Sequence, residues 1–180
     1  MTRIQPAYLR YLSAALLVML STGIYAQKQT KLTDPEIASV AVTANQIDID
    51  FAQIAIEKSK NTEILNFAKT IANDHKAVID QAVALVTRLK VSPQANDLSK
   101  KLLSDAEKTK AMLKRTKASN FDKVYIDNEV AYHKAVIGAV ETVLVPQSAN
   151  AELKGLLEKV LPALRTHLAH AEMVQQKLPK

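Results

Sequence analysis

The sequence predicts an all-α domain in which four long helices form one bundle, with an additional basic helix in the crossover connection between two hairpins. Three observations predict it. Glycine occurs 3 times and proline 6 times in 180 residues, while Ala, Leu, Val, Lys and Ile abound, a composition that favours helix and starves tight β-turns. Apolar residues recur at steps of three and four over long stretches, the period of a helix with a buried face. Capping residues and prolines punctuate those stretches where short antiparallel turns would fall.

Residues 1–26 read as a secretory signal. Arg3 and Arg10 come without an acidic residue, an apolar run extends from Leu12 to Ile24, and Ile24-Tyr25-Ala26 places a small side chain at the cut. That run is about 13 residues, whereas a spanning helix needs roughly 20, so cleavage is expected rather than anchoring. The mature domain, residues 27–180, is then expected to be soluble outside the cytoplasm, periplasmic or envelope-associated. There is no cysteine, which excludes disulfides, thiolate metal ligands and an acylated cysteine tether.

The first helix is expected after Thr33-Asp34-Pro35-Glu36, where Thr33 caps and Glu36 completes a capping box. Its stripe is Ile37, Val40, Ala44, Ile47, Phe51 and Ile54; a thinner stripe of Val42, Ile49 and Ile56 predicts neighbours on two sides. A turn at Ser59-Lys60-Asn61-Thr62 leads to a second helix striped by Ile64, Ala68, Ile71, His75, Val78, Ile79, Ala82, Val86 and Leu89, which should end before Ser92-Pro93. A basic amphipathic helix is expected over Asp97 to Lys117. Ser119, with Asp122 three residues on, is expected to start the next helix, which stops near Val145-Pro146. The last begins near Asn150 and contains Pro162, which should free the carbonyl of Glu158 and kink it.

The formal net charge is +6, and the excess of the mature part lies in one place. Between Leu98 and Lys123 stand Lys100, Lys101, Lys108, Lys110, Lys114, Arg115, Lys117 and Lys123, opposed by Asp105, Glu107 and Asp122 alone. A solvated charged face is the commoner meaning of such a run. Contact with an anionic envelope surface is the functional alternative. Nucleic acid is not expected, because the export signal points to another compartment and Phe121 is the segment's only aromatic, so no stacking platform exists.

Candidate chemistry lies inside the stripes. At about 100° per residue, His75 falls at the centre of its apolar face, and Asp48 sits beside Ala44, Ile47 and Phe51. Glu129 and His133, four apart, fall between Tyr125, Tyr132 and Val136; His167 is at the edge of its stripe, with Asp74 and His170 on the flanks. Counting from the turns at about 1.5 Å per residue puts Asp48 level with His75, and Glu129 level with His167. Each long helix therefore offers a carboxylate or imidazole near mid-height of one core. Two readings follow. Asp48, His75, Glu129, His133 and His167 could hold iron, manganese or zinc, or they could form a polar layer in which carboxylates, tyrosine hydroxyls or water satisfy each histidine. The sequence favours the layer with no cofactor, because the di-iron spacing Glu-x-x-His is absent: Glu129 to His133 is one residue too long. Tyr125 and Tyr132 read as core or interface residues.

No nucleophile elbow or dinucleotide fingerprint is present, and three glycines cannot build a phosphate loop. No enzyme class is indicated. Several pieces do resemble a family: Asp48-Ile49-Asp50-Phe51, where the family usually shows a Glu-rich version; Asn66-Phe67-Ala68 leading to Asn73-Asp74-His75; Phe121-Asp122 with Tyr125; His133; and Leu161-Pro162 followed by His167-Leu168. The chain resembles the bacterial exported proteins grouped as domain of unknown function 4142, often labelled outer-membrane proteins, over about Ile37 to Gln175. The resemblance implies a ferritin-like bundle and places Asp48, His75, His133 and His167 at the family's recurrent polar positions; it brings no established activity. The function expected is that of a non-enzymatic envelope binding protein, stress-related, with metal binding and envelope-surface binding as the alternatives.

Overall fold

A computed structural model describes residues 31–178. The proposed signal segment, 1–26, lies outside the described residues. Within them the chain is helical, with no strand: α1 (Asp34–Lys58), α2 (Thr62–Arg88), α3 (Asp97–Arg115), α4 (Ala118–Ala139), a π-helical segment (Val140–Leu144), α5 (Val145–Gln147) and α6 (Ala151–Lys177). No helix among the described residues is long and apolar enough to cross a membrane.

Local signals set the starts of these helices. The Thr33 amide and hydroxyl both donate to the Glu36 carboxylate at 2.8 Å, which anchors the entry to α1. Asn61 and Asn150 accept from the amides of Glu63 and Glu152, each at 2.9 Å, and so cap α2 and α6. Asn96 does the same for α3 by accepting from the Ser99 amide at 3.0 Å.

Polar clamps fix the direction of each helix. α1 and α2 form a hairpin, and α3 then returns alongside α1 in the same direction as α1. Asn96 donates to the Glu36 carbonyl at the start of α1, Lys110 meets Asp50 midway at 3.1 Å, and Lys58 donates to the Thr116 carbonyl at the far end. There α4 begins, tied to the α1–α2 turn by the Ser59 hydroxyl donating to Asp122 at 2.6 Å, and it descends parallel to α2. α6 starts beside the other end of α1, where Asp34 accepts from the amides of Ala149 and Asn150 at 2.9 and 3.0 Å, and it rises until Lys177 pairs with Glu63. The order is up, down, a helical crossover, down, up.

The interior has two apolar clusters. One holds Phe51, Phe67, Phe121 and Tyr125; the other holds Leu85, Leu144, Leu153 and Leu157. Each fully buried aromatic or leucine contributes about 1.5–3 kcal/mol of hydrophobic stabilisation. The helices pass from one cluster to the other across a polar residue: His75 lies between Ile71 and Leu85, His133 between Val130 and Val140, and His167 between Leu164 and Ala171. On the outer face of α3, Lys101 and Lys108 pair with Asp105, while Lys110, on the side toward α1, pairs with Asp50 and Glu107.

α2 ends at Arg88, before Ser92-Pro93 as expected, where Lys90 turns into the left-handed region at φ 54° and the Val91 amide closes on the Val86 carbonyl at 3.0 Å. One local expectation needs correction. α4 starts at Ala118, behind Lys117, and Ser119 sits inside its first turn rather than capping it. Before Pro146, which has no amide to continue an α-helical ladder, the chain widens into the π-helical segment, a feature the periodicity does not reveal. α6 is one helix through Pro162; Pro162 and Glu158 are both exposed, so a carbonyl freed by the missing amide meets water.

Lysine at positive φ costs about 1–2 kcal/mol that glycine does not incur, and glycine returns part of this as unfolded-state entropy. Lys90→Gly is therefore expected to stabilise the fold by about 0.5–1 kcal/mol, read as a higher midpoint in urea with an unchanged slope.

Candidate metal centre

Five side chains from four helices meet where the two apolar clusters join: Asp48 of α1, His75 of α2, Glu129 and His133 of α4, and His167 of α6. Asp48, Glu129 and His133 are 0% exposed, His75 3% and His167 6%, so solvent screens none of their charges. Asp48 Oδ2 lies 3.1 Å from His75 Nε2 and 3.5 Å from His133 Nε2. Glu129 Oε2 lies 3.7 Å from His133 Nδ1. The ring centroids of His75, His133 and His167 are 5.3 to 5.7 Å apart.

The partner of each ring's other nitrogen fixes where its proton sits. Asn45 donates its amide to the Ala41 carbonyl at 2.8 Å, which turns its oxygen toward His75; His75 Nδ1 donates to that oxygen at 2.7 Å and carries the proton. His133 Nδ1 donates to the Glu129 carbonyl at 3.0 Å, as the spacing of four on one helix allows. His167 Nε2 donates to the Asp74 carboxylate at 2.9 Å. Each neutral ring therefore turns a bare lone pair to the interior: Nε2 of His75, Nε2 of His133 and Nδ1 of His167. None of these atoms has a hydrogen-bond partner in the fold, and no carboxylate oxygen of Asp48 or Glu129 closes one; the donors at hand are the Tyr125 hydroxyl and the Asn128 amide, buried, likewise unpartnered and turned toward Glu129. With Asp48 ionised, the 3.1 Å approach of His75 Nε2 is a contact between two acceptors; a proton on Asp48 turns it into a hydrogen bond.

The electrostatics follow from that crowding. Burial pushes the Asp48 carboxyl up to about 7, and burial followed by the charge of Asp48 raises Glu129 well above the usual carboxylate range. Burial, then the neighbouring rings of His133 and His167, lowers His75 to about 3; burial is likewise the first cause that lowers His133 to about 4. Tyr125 and Asn128 offer donors to Glu129 alone; for Asp48 and the three bare ring nitrogens, protons on the acids or a metal ion supply the missing positive charge.

The donor set suits a metal ion. One ligand atom from each of His75, His133 and His167 lies within 4.8 Å of the others, and the same holds for Asp48, Glu129 and His133. Three mutual ligands on one ion at about 2.0–2.2 Å stand about 3.3–3.8 Å apart, so closure asks for movements of up to about 1 Å. His133 belongs to both sets, which makes the five residues one continuous lining. Imidazole with carboxylate is the donor chemistry of iron, manganese and zinc, and rings held at the second nitrogen by an amide oxygen, a carbonyl and a carboxylate are oriented as metal-binding histidines are.

A family comparison gives this arrangement its setting. The sequence model of the domain of unknown function DUF4142 matches residues 20–174. The chain belongs to the DUF4142 family. No curated protein and no solved structure matches. Membership of DUF4142 carries no activity with it, so the chemistry must be argued from the site itself.

In this DUF4142 chain, all five residues singled out from sequence converge. Asn45 and Asp74, which hold His75 and His167, were not singled out for that role. Asn45 stands three residues before Asp48 on the same face, a signal that could have found it; Asp74 is an exposed flank position whose contact with α6 exists only once α2 and α6 pack. Tyr132 donates to the Ala44 carbonyl at 2.8 Å, and Tyr125 is fully buried beside Phe67 and Phe121, both as core residues. His170 packs edge-on against Phe67, outside the cluster.

The raised Asp48 fixes a sign. Metal-free folded protein holds a proton on Asp48 that the unfolded chain releases near pH 4, so this group's contribution is complete below about pH 4 and is lost as pH rises through about 7. Asp48→Asn supplies a permanent donor toward His75 Nε2. In the presence of chelator it is expected to exceed the parent in stability by about 1–3 kcal/mol at pH 8 and to lose that lead toward pH 4, measured by urea unfolding across the range.

Proposed function

We propose that this chain is an exported, ferritin-like four-helix protein that binds a first-row transition ion, iron, manganese or zinc, through Asp48, His75, Glu129, His133 and His167, in a binding or protective rather than catalytic role. The observation that carries the reading is the convergence of three bare imidazole nitrogens and two carboxylates in a buried site whose neutral donors, Tyr125 and Asn128, serve Glu129 alone. Two helical hairpins joined by one full-length crossover support the ferritin-like architecture. The basic start, apolar run and Ile24-Tyr25-Ala26 pattern of residues 1–26 support export.

Asn45, Asp74 and the Glu129 carbonyl hold the rings; Asp48 and Glu129 supply the negative charge that compensates a divalent ion. A bound ion brings Lewis acidity, and iron or manganese adds redox capacity. The competing reading is a purely structural layer, and it requires protons on Asp48 and Glu129 to serve as donors, which their raised affinities for protons favour.

The deciding experiment is elemental analysis of untagged protein before and after incubation with ferrous iron, manganese and zinc. At least one ion per chain is expected, with a loss of about tenfold or more in affinity in His75→Ala and in His133→Ala at unchanged helicity. Because the carboxylates must be ionised to bind, calorimetry in buffers of differing ionisation enthalpy should show proton release on binding, and affinity should rise with pH between about 5 and 7. Absence of metal under every loading leaves the structural layer.

A second reading rests on the basic face. Lys100, Lys114, Arg115 and Lys117 are exposed and have no carboxylate partner among the described residues. Contact with an anionic envelope surface through them should weaken sharply between about 50 and 500 mM salt in a sedimentation assay with anionic vesicles; binding that ignores salt removes this reading.

A further inference from the structure

Beside the metal centre the interior is hollow. A cavity of about 460 Å³ has His75 and His167 in its lining and otherwise mostly apolar walls that include Val40, Val78, Val136, Leu157 and Leu164. Packed interiors rarely leave voids much larger than a water molecule, whereas pockets of several hundred cubic ångströms are the size of ligand sites. The hollow is long: its lining runs from His75 to Val86 on α2 and from Leu153 to His167 on α6, or about 15–20 Å at 1.5 Å per residue. Ala77 and Gln81 of α2 and Lys159 and Ala163 of α6 line it and are exposed, so it reaches solvent along the seam between α2 and α6.

Its charges are unevenly placed. Asp74, half-exposed beside His167, marks the end next to the acidic cluster, and Asp105, the other carboxylate in the lining, is paired with Lys101 and Lys108. Lys159 lies two turns of α6 away from His167, about 12 Å, and has no carboxylate partner among the described residues. An anionic group is repelled at the first place and compensated at the second. We propose that this cavity binds a single-chain fatty carboxylate, with its tail along the apolar walls toward His75 and His167 and its carboxylate at Lys159. The site needs no ion in the neighbouring cluster, so it is testable on chelator-treated protein and stands or falls apart from metal binding.

The test is titration calorimetry of the chelator-treated full chain with dodecanoate and with dodecyltrimethylammonium, both below their micelle concentrations. Saturable binding of one dodecanoate per chain is expected, about tenfold or more tighter than the cation. Ala163→Trp and Ala77→Trp, at exposed positions on opposite sides of the seam, should each weaken it about tenfold with helicity unchanged. Lys159→Glu should weaken dodecanoate and not the cation. Three results overturn the proposal: no saturable dodecanoate binding, equal binding of the two amphiphiles, or indifference to both tryptophans in variants that retain the parent's circular dichroism.

Discussion

The structure turns on a group of acceptors brought together out of reach of water. Asp48, Glu129 and the three histidines occupy the level at which the two apolar clusters would otherwise have joined. Ordinary burial of such groups is satisfied by donors, but here the second nitrogen of every ring is already engaged, by Asn45, by the Glu129 carbonyl and by Asp74. Those outward bonds decide the tautomers, the tautomers decide which lone pairs face inward, and the inward lone pairs create the demand for positive charge. The raised carboxyls and lowered imidazoles express the same demand as proton affinities.

Such a cluster needs its helices held in register, because a slide of one residue along the axis displaces a side chain by about 1.5 Å and rotates it by about 100°. The clamps at the two ends supply that register. Asp34 binds the turn before α6 through two backbone amides, and Ser59 ties the first turn of α4 to the first hairpin. Lys58 reaches the carbonyls at the end of α3 and also lies 5.2 Å from the Phe121 ring centroid, so the crossover helix is fastened where the second hairpin begins. Surface pairs such as Lys76 with Asp80 add little beside these.

The same arrangement separates two uses of one interior. Toward the Phe51, Phe67 and Phe121 end, aromatic rings fill the space and wall the cluster off from that side. Toward the other end the side chains are smaller and aliphatic, and the cavity remains. His75 and His167 belong to both regions: one nitrogen is held, the other faces the cluster, and the ring itself forms part of the cavity wall.

By itself the sequence determined the helices, most of their caps, the buried stripes and the five polar interruptions of those stripes. All of these depend on interactions within a few residues or on the 3.6-residue period, and counting along rigid helices even placed Asp48 level with His75. The left-handed Lys90, the π-helical segment before Pro146 and the start of α4 at Ala118 were not legible, because turn geometry at such points is settled by what packs around it. Most of the site's character was also decided only in three dimensions. That Asn45 orients His75, that Asp74 reaches His167 from another helix, that each ring's inward nitrogen is an acceptor, and that a hollow adjoins the cluster all depend on distances between helices, which no periodicity along one chain records.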